Sequence, residues 1–107
     1  MLVTTTETVA GREIVESLGL ARGSVVRAKH IGSDIVASLR NIVGGEVAEY
    51  AQLLAAAREQ ALDRMAEDAR RSGADAVVGV RITTSMIMGG ASEVMAYGTA
   101  VRLAPKA

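Results

Sequence analysis

The segment from Gly44 to Val80 constrains the fold most strongly, because it holds the longest amphipathic pattern of the chain and the apolar run that follows it. A Gly-Gly pair precedes a helical pattern over residues 46–72, and Gly73 ends it in a position typical of helix C-termini. Residues 76–82 are almost continuously apolar, as in a central strand covered on both faces. We therefore expect a long helix packed on a β-sheet.

The helical pattern can be checked on a wheel of about 100° per residue. Its apolar side chains gather in one arc, which consists of Val47, Tyr50, Ala51, Leu54, Ala57, Ala61, Leu62, Met65, Ala66 and Ala69. Two charged residues, Arg58 and Asp68, fall inside this arc. Either their charged ends reach solvent from the rim of the core, or they make polar contacts across a subunit interface.

The C-terminal third predicts a β-hairpin, with Gly89 and Gly90 as a two-residue turn. The pairs expected from this turn are Met86 with Glu93, Thr84 with Met95, and Ile82 with Tyr97. Since side chains alternate along a strand, three methionines and one carboxylate would then share one face of the hairpin. This set is Met86, Met88, Met95 and Glu93.

The N-terminal half predicts shorter elements. A β-rich start over residues 2–6 is followed by a brief helix over residues 11–18, which Gly19 would close. Residues 23–31 have the composition of a strand. Ser33 or Asp34 can cap a short helix that continues to residue 42.

Composition restricts the function classes. The chain has the length of one domain, residues 1–107, with residues 1–2 and 104–107 expected to be frayed. Its 12 basic and 12 acidic side chains give a net charge of zero, which argues against a nucleic-acid or anionic-membrane surface. No apolar run approaches the roughly 18 residues of a membrane span, and the first residues do not resemble a signal peptide. We expect a cytoplasmic protein.

The apolar content predicts self-association. Half of the residues are hydrophobic, and a small domain buries a low fraction of its surface, so the surplus is expected in a subunit interface. The chain has no cysteine, and His30 is its only histidine. This composition offers no conventional nucleophile and base pair, so we expect no enzyme.

Four segments, in this order, resemble the YbjQ family of small bacterial and archaeal domains: TTTETVAGREIVESLG, SDIVASLRNIVGGEVAEY, GADAVVGVRI and MAYGTAVRL. The resemblance covers residues 3–103. It implies an α+β fold in which a small antiparallel sheet is crossed by one long helix, with short helices beside it, similar to a dodecin subunit. It also implies a ring-shaped homopentamer and the heavy-metal binding by which the family is described.

Two residue sets are candidate metal ligands. His30 could form a site if five copies met around a symmetry axis, although a single histidine on a strand is also consistent with a structural role. Thioethers suit Cu(I) and other soft ions, so Met86, Met88 and Met95 with Glu93 could form a weak site. The same methionines could equally fill gaps in a core or an interface. These patterns do not identify a cofactor, and the candidate that they leave is a soft or borderline metal ion.

A third set, Asp34, Arg40 and Asn41, lies on and beside the short predicted helix. These residues could bind a small ligand, or Asp34 could cap the helix while Arg40 pairs with a carboxylate of a neighbouring element or subunit. The sequence as a whole predicts a non-enzymatic homopentamer that binds a metal ion or small ligand at subunit interfaces. The alternatives are a scaffold pentamer without ligand and a weak enzyme with an inter-subunit cleft.

Overall fold

The computed structural model describes residues 1–28 and 45–106, and of residues 45–50 it describes the backbone alone. The described residues form four strands and one helix. In chain order these elements are β1 (Leu2–Val3), β2 (Ile14–Ala28), α1 (Gly45–Arg71), β3 (Ala76–Met88) and β4 (Ala91–Leu103). The short helix predicted from Asp34 to residue 42 and the last residues of the strand predicted over 23–31 lie outside the described residues.

The strands form one mixed sheet in the order β1-β3-β4-β2. Strand β4 is central and antiparallel to both neighbours, whereas the short β1 pairs in parallel with the start of β3. The α+β prediction is confirmed, but the prediction of a purely antiparallel sheet is wrong. The exception is β1 at the start of the chain, where Leu2 pairs with Ala76 and the two strands are parallel.

One face of the sheet is covered by α1, which packs mainly against β2 and β4. Its buried side chains are largely alanine, so the helix can approach the sheet closely. Strand β2 permits this approach at Gly23, where an added Cβ would lie 2.4 Å from the backbone nitrogen of Met65. The core on this face contains Ala21, Val25, Ala57, Ala61, Met65, Ala69, Val77, Val80, Val94, Ala96 and Ala100.

The other face carries a smaller core at the opposite end of the sheet from the hairpin turn. It contains Ala76, Val78, Val101 and Leu103, against which Val9 and Ile14 pack. The start of β3 is therefore buried on both faces, as its continuous apolar run predicts. The prediction fails further along the strand, because Ile82 is 39% exposed.

The helix predicted over residues 11–18 is wrong, since these residues enter the long strand β2 at Ile14. Pairing with β4 along this strand outweighs a local helical spacing of apolar residues, because each strand residue gains packing partners that a short isolated helix lacks. Gly19 does not end a helix. It has a φ of 97° and lies at one of two irregularities in the β2–β4 register.

The predicted hairpin turn is present, since Met88 lies opposite Ala91 across Gly89 and Gly90. The predicted pairs are nevertheless wrong by one residue, because the register shifts between Met86 and Met88. One extra residue on β3 is a β-bulge, and a slip of one residue moves every preceding side chain to the other face. The observed pairs are Met86 with Ser92, Thr84 with Val94, and Ile82 with Ala96.

Residues near both ends of the chain make contacts within the fold. Leu2 is part of β1. Near the other end, the backbone N–H of Ala104 donates to the carbonyl of Glu13 at 2.8 Å, and its own carbonyl accepts from Arg12 at 3.0 Å. The fraying expected for residues 1–2 and 104–107 stays a prediction beside these contacts.

Candidate functional site

A groove of about 420 Å³ lies where α1 leaves β3 uncovered on its own face of the sheet. Its volume is within the range of small-molecule sites, roughly 300–1,000 Å³. The lining is almost wholly apolar. It is formed by Val3, Thr4, Thr5, Leu62, Val80, Arg81 and Ile82.

The polar groups at the rim of this groove are already engaged. The hydroxyl of Thr4 lies 2.9 Å from that of Thr6. The Arg81 guanidinium donates to the carbonyls of Thr5 at 3.1 Å and of Val80 at 2.8 Å. It also lies 3.8 Å from the Glu7 carboxylate. The groove therefore suits an apolar occupant that needs few hydrogen bonds.

The second half of β3, residues 81–88, extends from the groove towards the hairpin turn and is exposed throughout. Its large apolar side chains include Met86, which is 76% exposed, together with Ile87 and Met88. Exposed apolar side chains occur singly on most proteins, but several of them along one strand half, next to an apolar groove, indicate an interaction site. This strand half and the adjoining groove form the candidate functional surface.

The sequence did not point to the groove, because its residues come from three elements that only the fold brings together. A signal for the strand half was nevertheless present. From Ile82 to Met88 the chain carries no charged residue and is rich in β-forming side chains. Such a segment predicts a strand whose apolar side chains are buried against another part of the protein or against another subunit.

The predicted methionine and carboxylate set is only partly assembled. In the observed register, Glu93 and Met95 face Ser85 and Thr83, on the side of the sheet opposite α1. Met88 follows the bulge and pairs with Ala91, which shares this side by alternation. Met86 pairs with Ser92 on the α1 side, so the structure separates it from the other three.

The remaining predicted site residues, His30, Asp34, Arg40 and Asn41, lie outside the described residues. Within the described ranges, no group of three or more Asp, Glu or His side chains could hold a metal ion.

No helix in the described part of the chain is long and apolar enough to cross a membrane.

The two charged residues inside the apolar arc of α1 differ in role. Asp68 accepts a hydrogen bond from the backbone N–H of Arg22 in β2 at 3.1 Å, so it contacts its own chain. Arg58 is exposed. A polar residue occurs at position 68 within the apolar arc because its carboxylate bonds to the backbone of the neighbouring edge strand β2.

Comparison with known proteins places these features in a family. Residues 1–104 match the model of the YbjQ family, which is described as "putative heavy-metal-binding". The chain is 57% identical over 103 residues to a UPF0145 protein of Methanosarcina acetivorans, covering 96% of this chain and 97% of the relative. It is 65% identical over 100 residues to a UPF0145 protein of Halobacterium salinarum, covering 94% and 96%.

A solved structure has the same fold at low sequence identity. It is a protein of unknown function from Pediococcus pentosaceus, assigned to the DUF74 family, with a TM-score of 0.69 and 15% identity over 97% of this chain and 98% of that one. This likeness supports the α+β architecture alone. The match of the family model over residues 1–104, together with the UPF0145 relatives, shows that this chain belongs to the YbjQ family.

Proposed function

We propose that this protein is the subunit of a cytoplasmic, non-enzymatic homopentameric ring that binds a small ligand or a soft metal ion at its subunit interfaces. The observation that carries the proposal is the exposure of β3 over residues 81–88, where three consecutive apolar side chains, Met86 to Met88, face solvent. A subunit interface would remove this surface from water, which is favourable in proportion to the apolar area buried.

A ring requires two different complementary surfaces on each subunit, since its contacts are head-to-tail. The exposed strand half supplies one such surface. Leu20, Val15 and Val26 on β2, all exposed, offer apolar area at the other edge of the sheet. The groove beside Ile82 would then lie at the contact between two subunits, which supports a small ligand with a mostly apolar body.

The metal-binding part of the proposal rests on three side chains and on the family description. Met88, Glu93 and Met95 lie on one side of the hairpin, and a thioether pair with a carboxylate suits a soft ion. The single His30 of each chain would contribute only if the ring brought several copies together. The small-ligand set Asp34, Arg40 and Asn41 stays a prediction beside these.

Native mass spectrometry at micromolar concentration tests the assembly. We expect a species of about five times the 11.1 kDa chain mass. The spectrum should lose this species when Met86 and Ile87 are both replaced by lysine, because two charges would have to be buried. A wild-type chain that is monomeric over the same concentrations would refute the ring.

Anaerobic calorimetric titration with Cu(I), Zn(II) and Ni(II) tests the metal site. We expect Met95→Leu and Glu93→Gln to weaken binding of the soft ion. Met86→Leu is the matched control, because Met86 lies on the other side of the hairpin, and it should leave binding unchanged. His30→Ala tests the alternative ligand. Absence of heat with every ion would leave a ring that binds no metal.

A further inference from the structure

The two edges of the sheet differ in how far the described residues of the same chain cover their backbone groups. Strands need protection at an edge, because the unpaired N–H and C=O groups of an edge strand can pair with another chain. One edge is formed by β2 along its whole length, and the other by β1 and then by the second half of β3.

The middle of the β2 edge is protected by α1. The Asp68 carboxylate accepts from the backbone N–H of Arg22 at 3.1 Å, and the Arg64 guanidinium donates to the carbonyl of Ser24 at 2.6 Å. Gln60, one turn before Arg64, accepts from the side chain of Arg27. Asp68 and Arg64 therefore occupy outer main-chain groups of β2 to which another strand would have to bond. Gln60 holds the Arg27 side chain, which itself donates to the carbonyl of Val26 at 3.3 Å.

The β3 edge is covered only as far as Val80. The backbone N–H of Gly79 donates to Thr6 at 2.8 Å, and that of Val80 donates to Thr4 at 3.0 Å. Beyond Val80, no described residue outside β4 pairs with the β3 backbone. The seven residues from Ile82 to Met88 include no charge and no proline that would blunt the edge.

The direction of the backbone groups follows from the register. Because the N–H of Arg22 points away from β4 to Asp68, its partner Tyr97 directs its backbone groups to β3. Arg81, opposite Tyr97, then bonds to β4. By alternation, Ile82, Thr84 and Met86 direct their N–H and C=O groups outwards, in line with the outward N–H of Val80.

One other stretch of edge has no pairing strand among the described residues, and two register irregularities interrupt it, between Ile14 and Glu16 and between Ser17 and Gly19. Over Ile14–Leu20, the first half of β2, the described residues give the outer backbone groups no hydrogen-bond partner. Its one charged side chain, Glu16, pairs within the chain with Arg102 at 3.2 Å. The two open stretches are similar in length, and neither presents an unpaired charge to the other. They lie on opposite edges of the sheet, so one chain cannot join them.

We propose that residues 81–88 of β3 in one copy pair through main-chain hydrogen bonds with Ile14–Leu20 of β2 in the next copy, so that the sheets of neighbouring subunits are continuous. This inference rests on the proposed ring and specifies its contact. It explains why α1 protects the middle of β2 and leaves the first half open, since the protected part sets where the neighbouring strand must stop.

Amide hydrogen exchange on the assembled wild-type protein tests the contact residue by residue. The outward amides of Ile82, Thr84 and Met86, and that of Leu20 on β2, are expected to exchange at least about 100-fold more slowly than in an unstructured chain. Fast exchange of the three β3 amides in an intact ring would overturn the pairing while the ring stands. Slow exchange in β3 with fast exchange in β2 would overturn the choice of partner strand.

A matched pair of variants tests the same contact by assembly. Thr84→Pro removes one outward N–H and leaves the hydrogen bonds between β3 and β4 in place, whereas Thr84→Ala removes the same side chain and keeps the N–H. In native mass spectrometry, Thr84→Pro is expected to raise the dissociation constant of the ring at least about tenfold, and Thr84→Ala to leave it unchanged.

The outcomes separate this inference from the proposed function. An intact ring with Thr84→Pro at wild-type affinity would overturn the edge pairing alone. A monomeric wild type would overturn the ring, and protected β3 amides in that monomer would show that the chain covers its own edge. If the far-ultraviolet circular dichroism shows that Thr84→Pro is unfolded, the variant does not test the contact. The hydrogen exchange of the wild-type amides then decides whether the two strands pair.

Discussion

Replacement of Gly23 by alanine tests how closely α1 approaches the sheet. A Cβ at this position would lie 2.4 Å from the backbone nitrogen of Met65, 2.5 Å from the carbonyl oxygen of Ala61 and 2.6 Å from Cβ of Arg64. Two of these three atoms are helix backbone, so no side-chain rotation removes the overlap. Ordinary contacts of about 3.5 Å require the helix to move away by about 1 Å.

Such a displacement is costly because it acts on the whole core. A gap of about 1 Å forfeits up to half of the attraction of each contact across it, and overpacked cores lose about 1–3 kcal/mol. The loss of backbone freedom in the unfolded chain offsets about 0.4–1 kcal/mol of this. Because two of the overlapping atoms are helix backbone, we expect the cost at the upper end of this range, which leaves a net loss of about 2 kcal/mol in the free energy of unfolding.

Urea unfolding followed by circular dichroism measures this loss. With a slope of about 1–3 kcal/mol per molar urea, the midpoint should fall by about 1 M. The matched control is Ser24→Ala at the adjacent exposed position, which should stay within about 0.5 kcal/mol of the wild type. All three proteins must be compared at one concentration, because assembly adds to stability. A Gly23→Ala midpoint equal to that of Ser24→Ala would refute the close packing.

Three further substitutions probe other contacts by the same urea assay. Met65→Ala should cost about 2–5 kcal/mol, because Met65 is fully buried and its removal leaves a cavity. Asp68→Ala should cost about 1 kcal/mol through loss of the hydrogen bond from Arg22, while Asp63→Ala, an exposed site on the same helix, should cost less than about 0.5 kcal/mol. Gly79→Ala should cost at least about 1–2 kcal/mol, because φ at Gly79 is 62°. An unchanged midpoint for any of these three would contradict the contact or conformation invoked for it.

Local patterns predicted those features that depend on neighbouring residues. The amphipathic period and the flanking glycines indicated the helical segment and the hairpin turn, since both follow from backbone preferences. The strand β2 was predicted only from Gly23 onwards. Its first half was assigned to a helix, because Ile14, Val15 and Leu18 also fit a helical spacing, and only pairing with β4 separates the two interpretations.

The candidate sites were less predictable than the elements. The methionine set depended on the register of the hairpin, and one extra residue between Met86 and Met88 moved Met86 to the opposite side. The period of two makes a strand sensitive to such a slip. The groove beside Ile82 could not be predicted either, since Val3, Leu62 and Ile82 are far apart in the chain.

The sequence by itself determined the class of fold, the surplus of apolar side chains and the absence of cysteine chemistry, because these follow from composition and local periodicity. The tertiary structure decided where the surplus lies. Since α1 packs over β2 and β4, it leaves the second half of β3 exposed, while Asp68 protects the opposite edge only around Arg22. Which stretches of edge are open among the described residues depends on contacts between residues distant in the chain, and only the folded sheet brings those residues together.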